Sequence, residues 1–202
     1  MTTFLDQSYA TSGANATRAL YDAWAASYEA EVAENGYATP GRVASALARS
    51  VADKSTPVMD FGCGTGLSGL ALRLAGFDVI DGADLSPEML EIARQKALYR
   101  SLTLVNPAKS PFEAGTYPVI AAIGVIGAGA APIETFDTLM TLLPKGGFFA
   151  FSYNDNTLKD PAFEGCVSAW VDPGAACLHV RDYGPHLPAR NMKSMIYVLE
   201  KL

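Results

Sequence analysis

The residues of this chain whose types and spacing are best suited to chemistry lie in one short segment, Asp60-Phe61-Gly62-Cys63-Gly64-Thr65-Gly66. Glycines at alternate positions remove the side chains that would hold a ligand off the backbone, and they permit dihedrals that other residues avoid. An apolar run, Pro57 to Phe61, leads into the segment, and helical spacing follows over Leu67 to Leu74, so the glycines fall at a strand-to-helix turn. The free amides and positive dipole end of such a helix suit a carboxylate or a phosphate. Asp84 comes about 20 residues later, at the end of a second strand, where a carboxylate accepts hydrogen bonds from both hydroxyls of a ribose. These residues together predict a nucleoside-bearing cofactor.

Two frames compete for the same glycines. Gly64-Thr65-Gly66-Leu67-Ser68-Gly69 satisfies Gly-x-Gly-x-x-Gly, the dinucleotide fingerprint, and would make the chain an NAD(P)-dependent oxidoreductase. In that frame the first glycine comes two residues late after the strand, and Asp60 has no role. In the other frame Asp60 faces an ammonium, as an amino-acid-bearing cofactor such as S-adenosylmethionine requires. A module that senses that cofactor without catalysis is a third reading.

The surrounding pattern supplies the elements that must hold these residues. Leu20, Trp24, Tyr28 and Val32 recur every four positions and predict one amphipathic helix over Thr17 to Glu34, with a second helix after Pro40. Strands are expected over Phe77 to Gly82, Leu102 to Val105, Val119 to Gly124 and Phe148 to Tyr153. The helices between them include one opened by Ser86-Pro87, where serine caps free amides and proline fits the first turn. Strands alternating with helices imply an α/β, Rossmann-like, doubly wound and mostly parallel sheet. After Asn154 a helix around Ala162 to Trp170 precedes two strand-like runs, Cys177 to Asp182 and Ser194 to Leu199. Separated by a Gly/Pro-rich link, they predict an antiparallel hairpin at the sheet edge. The expectation is a single domain over 1–202, with an N-terminal helical cover (1–56), a cofactor-binding core (57–153) and a C-terminal helix and hairpin (154–202).

Composition narrows the partners. The chain has 202 residues, 50% of them hydrophobic and 18% charged, which excludes intrinsic disorder. Its net charge of −6 offers no evident basic surface for a phosphate backbone, so the expectation is no nucleic-acid partner. Three cysteines, Cys63, Cys166 and Cys177, form no Cys-x-x-Cys pair and suit a reducing, cytoplasmic setting. Met1 to Tyr9 lacks the basic flank and apolar stretch of an export signal, and the most lipid-like run, Pro118 to Ile133, is short and broken by glycines. No membrane partner is therefore expected. With two isolated histidines and scattered cysteines, no metal site is expected either.

The sequence resembles the class I S-adenosylmethionine-dependent methyltransferases. The likeness lies in Val58 to Gly66, in Ala83-Asp84-Leu85-Ser86-Pro87-Glu88-Met89-Leu90 and in Leu142-Leu143-Pro144-Lys145-Gly146-Gly147, three motifs in that family's order. Tyr21-Asp22-x-Trp24-Ala25-x-x-Tyr28-Glu29 and Asp182-Tyr183-Gly184-x-His186-Leu187-Pro188 look more narrowly like the methyltransferase-like group of the Williams-Beuren region. The resemblance implies that Gly62 and Gly64 line the methionine moiety, that Asp60 holds its ammonium directly or through water, and that Asp84 takes the ribose hydroxyls. Leu85 and Met89 would flank adenine, with Ile123 at the end of the fourth strand nearby. Asn106 stands where relatives carry an aspartate for the adenine amine, and its carbonyl can accept the same hydrogen bond; its plainer reading is an Asn-Pro turn. Pro118 departs from the family's aspartate at the start of the fourth strand.

A sulfonium already activates its methyl group, so a dedicated base is optional. His186, in the polar link of the hairpin, is the candidate catalytic acid or base, and its plainer reading is a turn residue bonding the backbone. His179, inside a strand-like run, reads as structural. Tyr21, Trp24 and Tyr28 read as core, with the Tyr28 hydroxyl reaching the cofactor pocket. Tyr153, Asn154 and Tyr183 are candidates for a substrate cleft. The expected substrate is a small-molecule metabolite, uncharged or cationic; the oligomeric state is left open.

Overall fold

The computed structural model describes residues 3–8, 11, 13–127 and 129–202. Met1, Thr2 and Tyr9 of the segment read for an export signal lie outside the described residues, as does Ala128 in the apolar, glycine-broken run. Three helices come first: α1 (Phe4–Ser8), α2 (Ala14–Trp24) and α3 (Tyr28–Glu34). They are followed by α4 (Thr39–Ser50), β1 (Val58–Phe61), α5 (Leu67–Leu74), β2 (Ile80–Asp84), α6 (Pro87–Gln95), β3 (Ser101–Leu104) and β4 (Val119–Ala122). The chain continues through α7 (Glu134–Leu142), β5 (Phe148–Asn154), α8 (Pro161–Val171), β6 (Ala176–Leu187) and β7 (Met192–Lys201).

The seven strands lie in the order β3-β2-β1-β4-β5-β7-β6. β1 pairs in parallel with both β2 and β4, so the order reverses direction beside β1, and the crevice beyond Phe61 is the switch point where open α/β sheets take ligands. β4 is buried along its whole length, as a central parallel strand covered on both faces must be. Met59, Ile120, Phe136, Phe149 and Phe151 pack on one side of the sheet, and Val43, Leu47, Leu72, Phe77 and Ile80 on the other. A third cluster joins the ends of the fold: Leu5, Trp24 and Val32 of the cover meet Leu187 of the hairpin.

The structure corrects two expectations. The helix expected over Thr17 to Glu34 is two helices, broken at 25–27, where the Ser27 amide turns back to the Trp24 carbonyl at 3.0 Å. The break sets Trp24 and Tyr28 edge to face, 4.8 Å between ring centroids, at the start of the third cluster. The Gly/Pro-rich link of the hairpin is for the most part strand. β6 runs through Gly184 and Pro185 to Leu187, absorbing its irregularities as register shifts against β7 between Leu178 and Val180 and between Pro185 and Leu187. The hairpin is antiparallel as expected, with β7 inserted between β5 and β6.

Candidate functional site

The C-terminal end of β1 opens into a cavity of about 550 Å³ roofed by α2 and α3. Its floor is the glycine loop. The Gly62 and Cys63 amides both donate to the Ala83 carbonyl, at 2.7 and 3.1 Å, which bends the loop over the end of β2. Gly62 has φ +72°, and a Cβ there would stand 2.4 Å from Val125 Cγ2, so glycine is required both for the turn and for the approach of the segment after β4. The third glycine of the dinucleotide frame, Gly69, has a different cause: the Tyr99 hydroxyl fills the place of its Cβ and accepts the Gly69 amide at 3.1 Å.

Asp84 closes one side of the floor. Its Oδ2 accepts the Gly64 amide at 2.8 Å and its Oδ1 the Ser86 amide at 2.9 Å, so one carboxylate fixes the glycine loop and the turn into α6 together. Burial pushes its pKa above the usual carboxylate value, against the pull of these amides. Each oxygen retains a lone pair for a ligand hydroxyl. Ser86 caps α6 as expected, accepting the Met89 amide at 3.1 Å, and its hydroxyl also donates to Asp22 of α2. A second polar tie joins cover to core, from Lys96 to Glu29 of α3 and to the Thr65 carbonyl.

The cavity wall brings together Tyr28, Gly62, Gly64, Asp84, Leu85, Met89 and Ile123 of the residues singled out in the sequence. Six others lie elsewhere. Asp60 is wholly buried beneath the loop rather than in the cavity wall; its Oδ2 accepts from Ser68 at 2.6 Å and Tyr99 at 2.7 Å, and burial raises its pKa to about 6. Asn106 is exposed and spends its carbonyl on the Ala108 amide at 3.0 Å, the Asn-Pro turn of the plainer reading. His186 does not line this cavity. It sits in β6 rather than in a loop, its Nδ1 is 2.8 Å from Thr39 Oγ1, and burial lowers its pKa to about 4. Tyr153 is buried among Phe151, Phe163 and Tyr197 and does not line the cavity. The Asn154 carbonyl accepts the Thr157 amide at 3.0 Å, and the exposed Tyr183 donates to Asp155 at 2.7 Å, so neither lines the cavity.

Sequence reasoning missed Thr17, Arg18, Tyr37, Thr65 and Lys109 in the wall, and Tyr21, read as core, lines it too. Thr17 and Tyr21, four residues apart on α2, form a hydroxyl-bearing stripe that helical periodicity could have revealed. Thr65 was visible in the loop, whose glycines drew the attention. Tyr37 follows the stop of α3 and carries no periodic signal; the site of its hydroxyl is over Gly124, at the end of β4.

The arrangement suits S-adenosylmethionine in its parts. There is a carboxylate for a ribose, and an apolar flank of Leu85, Met89 and Ile123 for a flat base. Residues 35–195 match the family model described as a methyltransferase domain. The chain belongs to this family. This methyltransferase domain takes S-adenosylmethionine as its cofactor, and the competing NAD(P) frame is set aside, its last glycine being explained by Tyr99.

The domain is 32% identical over 131 residues to human methyltransferase-like protein 27, covering 63% of this chain and 54% of that protein. It is 31% identical over 118 residues to the 18S rRNA (guanine(1575)-N(7))-methyltransferase of Saccharomyces cerevisiae, covering 51% of this chain and 43% of that protein. The chain thus spans about half the length of these curated relatives. The methyltransferase of a Haloferax volcanii complex with the Trm112 activator has the same fold, with TM-score 0.66 and 20% identity over 90% of this chain and 97% of that one. A relative that by name methylates rRNA overturns the expectation of a small-molecule partner and no nucleic acid. Net charge was a poor guide there, because it averages over a surface on which the two cations of the cavity wall, Arg18 and Lys109, are both exposed.

Proposed function

We propose that the protein transfers the methyl group of S-adenosylmethionine to an acceptor atom carried by a macromolecule and admitted beside the end of β4. The observation that carries the reading is the single carboxylate Asp84, which holds the glycine loop by the Gly64 amide while facing the same cavity. When bound, the cofactor supplies a methyl group already activated by its sulfonium. Asp84 would take the ribose hydroxyls, Leu85, Met89 and Ile123 the adenine, and Gly62, Gly64 and Tyr28 the methionine end. Asp84 is the one carboxylate among the described lining residues, and no histidine joins it. The chain's contribution is accordingly to hold the acceptor in line and to exclude water under α2 and α3. Tyr37, which lines the cavity with its hydroxyl over Gly124, would stand beside that acceptor.

Two features support a macromolecular acceptor: the rRNA methyltransferase among the relatives, and two exposed cations that line the cavity of an otherwise acidic chain, Lys109 and Arg18, the latter paired with Asp22 at 3.6 Å. A cytoplasmic setting is part of the proposal, supported by three unpaired cysteines. No helix among the described residues is long and apolar enough to cross a membrane. The test is to incubate the purified protein with methyl-tritiated cofactor and a size-fractionated cell extract. Label in the macromolecular fraction is expected, and its sensitivity to ribonuclease or protease names the class. Label confined to small metabolites would overturn the acceptor class, and failure to bind S-adenosylhomocysteine in calorimetry would overturn the cofactor placement.

A further inference from the structure

The motif Asp182-Tyr183-Gly184-x-His186-Leu187-Pro188 stands outside the cavity wall, and its polar partners lie on one short stretch, 35–42, that leads from α3 into α4. The Ala38 amide donates to the His186 carbonyl at 3.0 Å, and just beyond the motif the Ala189 amide donates to the Asn35 carbonyl at 3.3 Å. Thr39 Oγ1 lies 2.8 Å from His186 Nδ1 and 2.9 Å from Ser194 Oγ. Arg42 donates to the Pro185 carbonyl at 3.0 Å and to the Asp182 carbonyl at 2.9 Å. A Cβ on Gly184 would stand 2.8 Å from Arg42 Nη2, so the glycine of the motif makes room for the guanidinium.

Tyr37 and Pro40 of this stretch line the cavity, and the polar group they bring to it is the Tyr37 hydroxyl. The Tyr37 ring meets the His186 imidazole edge to face, 5.3 Å between centroids and 85° between planes. Its hydroxyl stands over Gly124, where a Cβ would come within 2.5 Å of it, and the Gly124 amide is fixed by the Ser152 hydroxyl at 3.0 Å. Burial lowers the His186 pKa to about 4, so the imidazole is neutral near pH 7 and meets Tyr37 as a packed ring rather than as a charge.

Resting on the acceptor site proposed above, we infer that His186 is a positioning residue for the reaction: its ring holds Tyr37 so that the hydroxyl stands over Gly124 and orients the acceptor by a hydrogen bond. The acceptor site is then completed from the far end of the chain, by a hairpin residue that does not itself line the cavity. Thr39 and Arg42 serve the same end one step removed, the first by fixing the imidazole and the second by fixing the backbone on either side of Gly184.

The test measures transfer from methyl-tritiated cofactor over a dilution series of the extract fraction that the wild type labels, beside calorimetry with S-adenosylhomocysteine. Tyr37→Phe removes the hydroxyl, and His186→Asn keeps a hydrogen-bonding group for Thr39 but not the ring. Each is expected to lower the rate at limiting acceptor about ten- to a hundredfold, as for a misplaced reacting group, and to bind S-adenosylhomocysteine within about twofold of wild type. His186→Phe returns a ring to Tyr37 and leaves Thr39 its bond to Ser194, and should recover most of the rate. Because His186 acts through Tyr37, the double variant Tyr37→Phe with His186→Asn should be no slower than Tyr37→Phe alone. Tyr183→Phe breaks a hairpin hydrogen bond, to Asp155, that involves neither residue, and should work as the wild type does. In spectra of protein with isotope-labelled tyrosine rings, the Tyr37 signal, identified by its loss in Tyr37→Phe, should shift in His186→Asn while those of Tyr99 and Tyr117 stay. If His186→Asn does not fold, His186→Gln is read in the same way. A His186→Asn protein with the wild-type rate, a loss that adds in full to that of Tyr37→Phe, or an equal loss of S-adenosylhomocysteine affinity overturns the positioning. A wild type that labels only small metabolites overturns the macromolecular acceptor, and the same variants are then compared on those metabolites. A wild type that labels neither overturns both.

Discussion

Asp60 and His186, two buried titratable groups outside the cavity wall, give the ligand-free protein a pH dependence with opposing parts. Asp60 has its carboxyl raised from 3.8 to about 6, first by burial, against the hydrogen bonds from Ser68 and Tyr99. Its neutral form is the one the fold prefers, so it adds stability as pH falls and loses that stability as pH rises through about 6. His186 is lowered from 6.5 to about 4, again first by burial, with Arg42 lowering it further and Asp155 opposing. The unfolded chain therefore takes up that proton first, and the fold loses stability as pH falls below about 6.5. Between pH 7 and 5, linkage gives about 1 kcal/mol gained through Asp60 and about 2 kcal/mol lost through His186. Asp84, also raised by burial, adds to the gain, whereas Asp81 and Glu164, both lowered, matter below their ordinary values. The wild type should thus change by no more than about 1 kcal/mol across this range, with the two variants diverging. Asp60→Asn, which keeps a carbonyl for Ser68 and Tyr99, should lose up to about 2 kcal/mol on going from pH 7 to 5, and His186→Gln should gain about 1 kcal/mol. Urea unfolding of each protein at both pH values measures the differences, and each variant serves as its own reference. A His186→Gln protein that loses stability on acidification, or an Asp60→Asn protein that gains it, would refute the reasoning.

Gly62→Ala should abolish measurable binding of S-adenosylhomocysteine and destabilise the fold by ~1–3 kcal/mol, because its methyl would lie 2.4 Å from Val125 Cγ2 at a φ of +72°; calorimetry and urea unfolding test both, and adding Val125→Ala should restore part of the stability. Asp84→Ala removes the acceptor of the Gly64 and Ser86 amides, so S-adenosylhomocysteine affinity should fall by ~1–3 kcal/mol. Near-normal affinity would contradict the placement of the ribose. Tyr153→Phe deletes a wholly buried hydroxyl with no partner, and stability should stay level or rise by up to ~1 kcal/mol in thermal unfolding. A clear drop would show that the hydroxyl does something the fold needs.

How much could be read in the sequence followed how local each cause is. The glycine loop, Asp84 and the Ser86 cap were legible because each carries its own short-range signature, and the structure joins them by backbone amides that donate to the Asp84 and Ser86 side chains. Alternating strands and helices gave the parallel sheet for the same reason. The places of His186 and Tyr183 were not legible, because they depended on whether 183–187 is a loop or a strand. Pairing with β7, and the burial of His186 against Thr39, decide that from far along the chain. Asp60 was legible as a charge that needs an explanation, yet its partner Tyr99 lies 39 residues away, with no pattern joining them. The cover's contribution, Thr17 and Tyr21, was hidden beneath the stronger apolar period of Leu20, Trp24 and Tyr28.

The third cluster sets a timetable for synthesis. Leu5, Trp24 and Val32 leave the ribosome early, but they pack on Leu187, and Arg190 holds Asp6 and Asn35 from the same turn. At ~5–20 residues per second the Leu187 contact must wait on the order of ten to thirty seconds after the cover is made, whereas the partners of Asp22 and Glu29, Ser86 and Lys96, emerge well before it. During that interval the apolar underside of the cover, Trp24 foremost, lacks its Leu187 partner. Premature release before Leu187 would yield a polypeptide with every cofactor motif in place and a cover held on the core by its polar ties to Ser86 and Lys96, without the Leu187 contact.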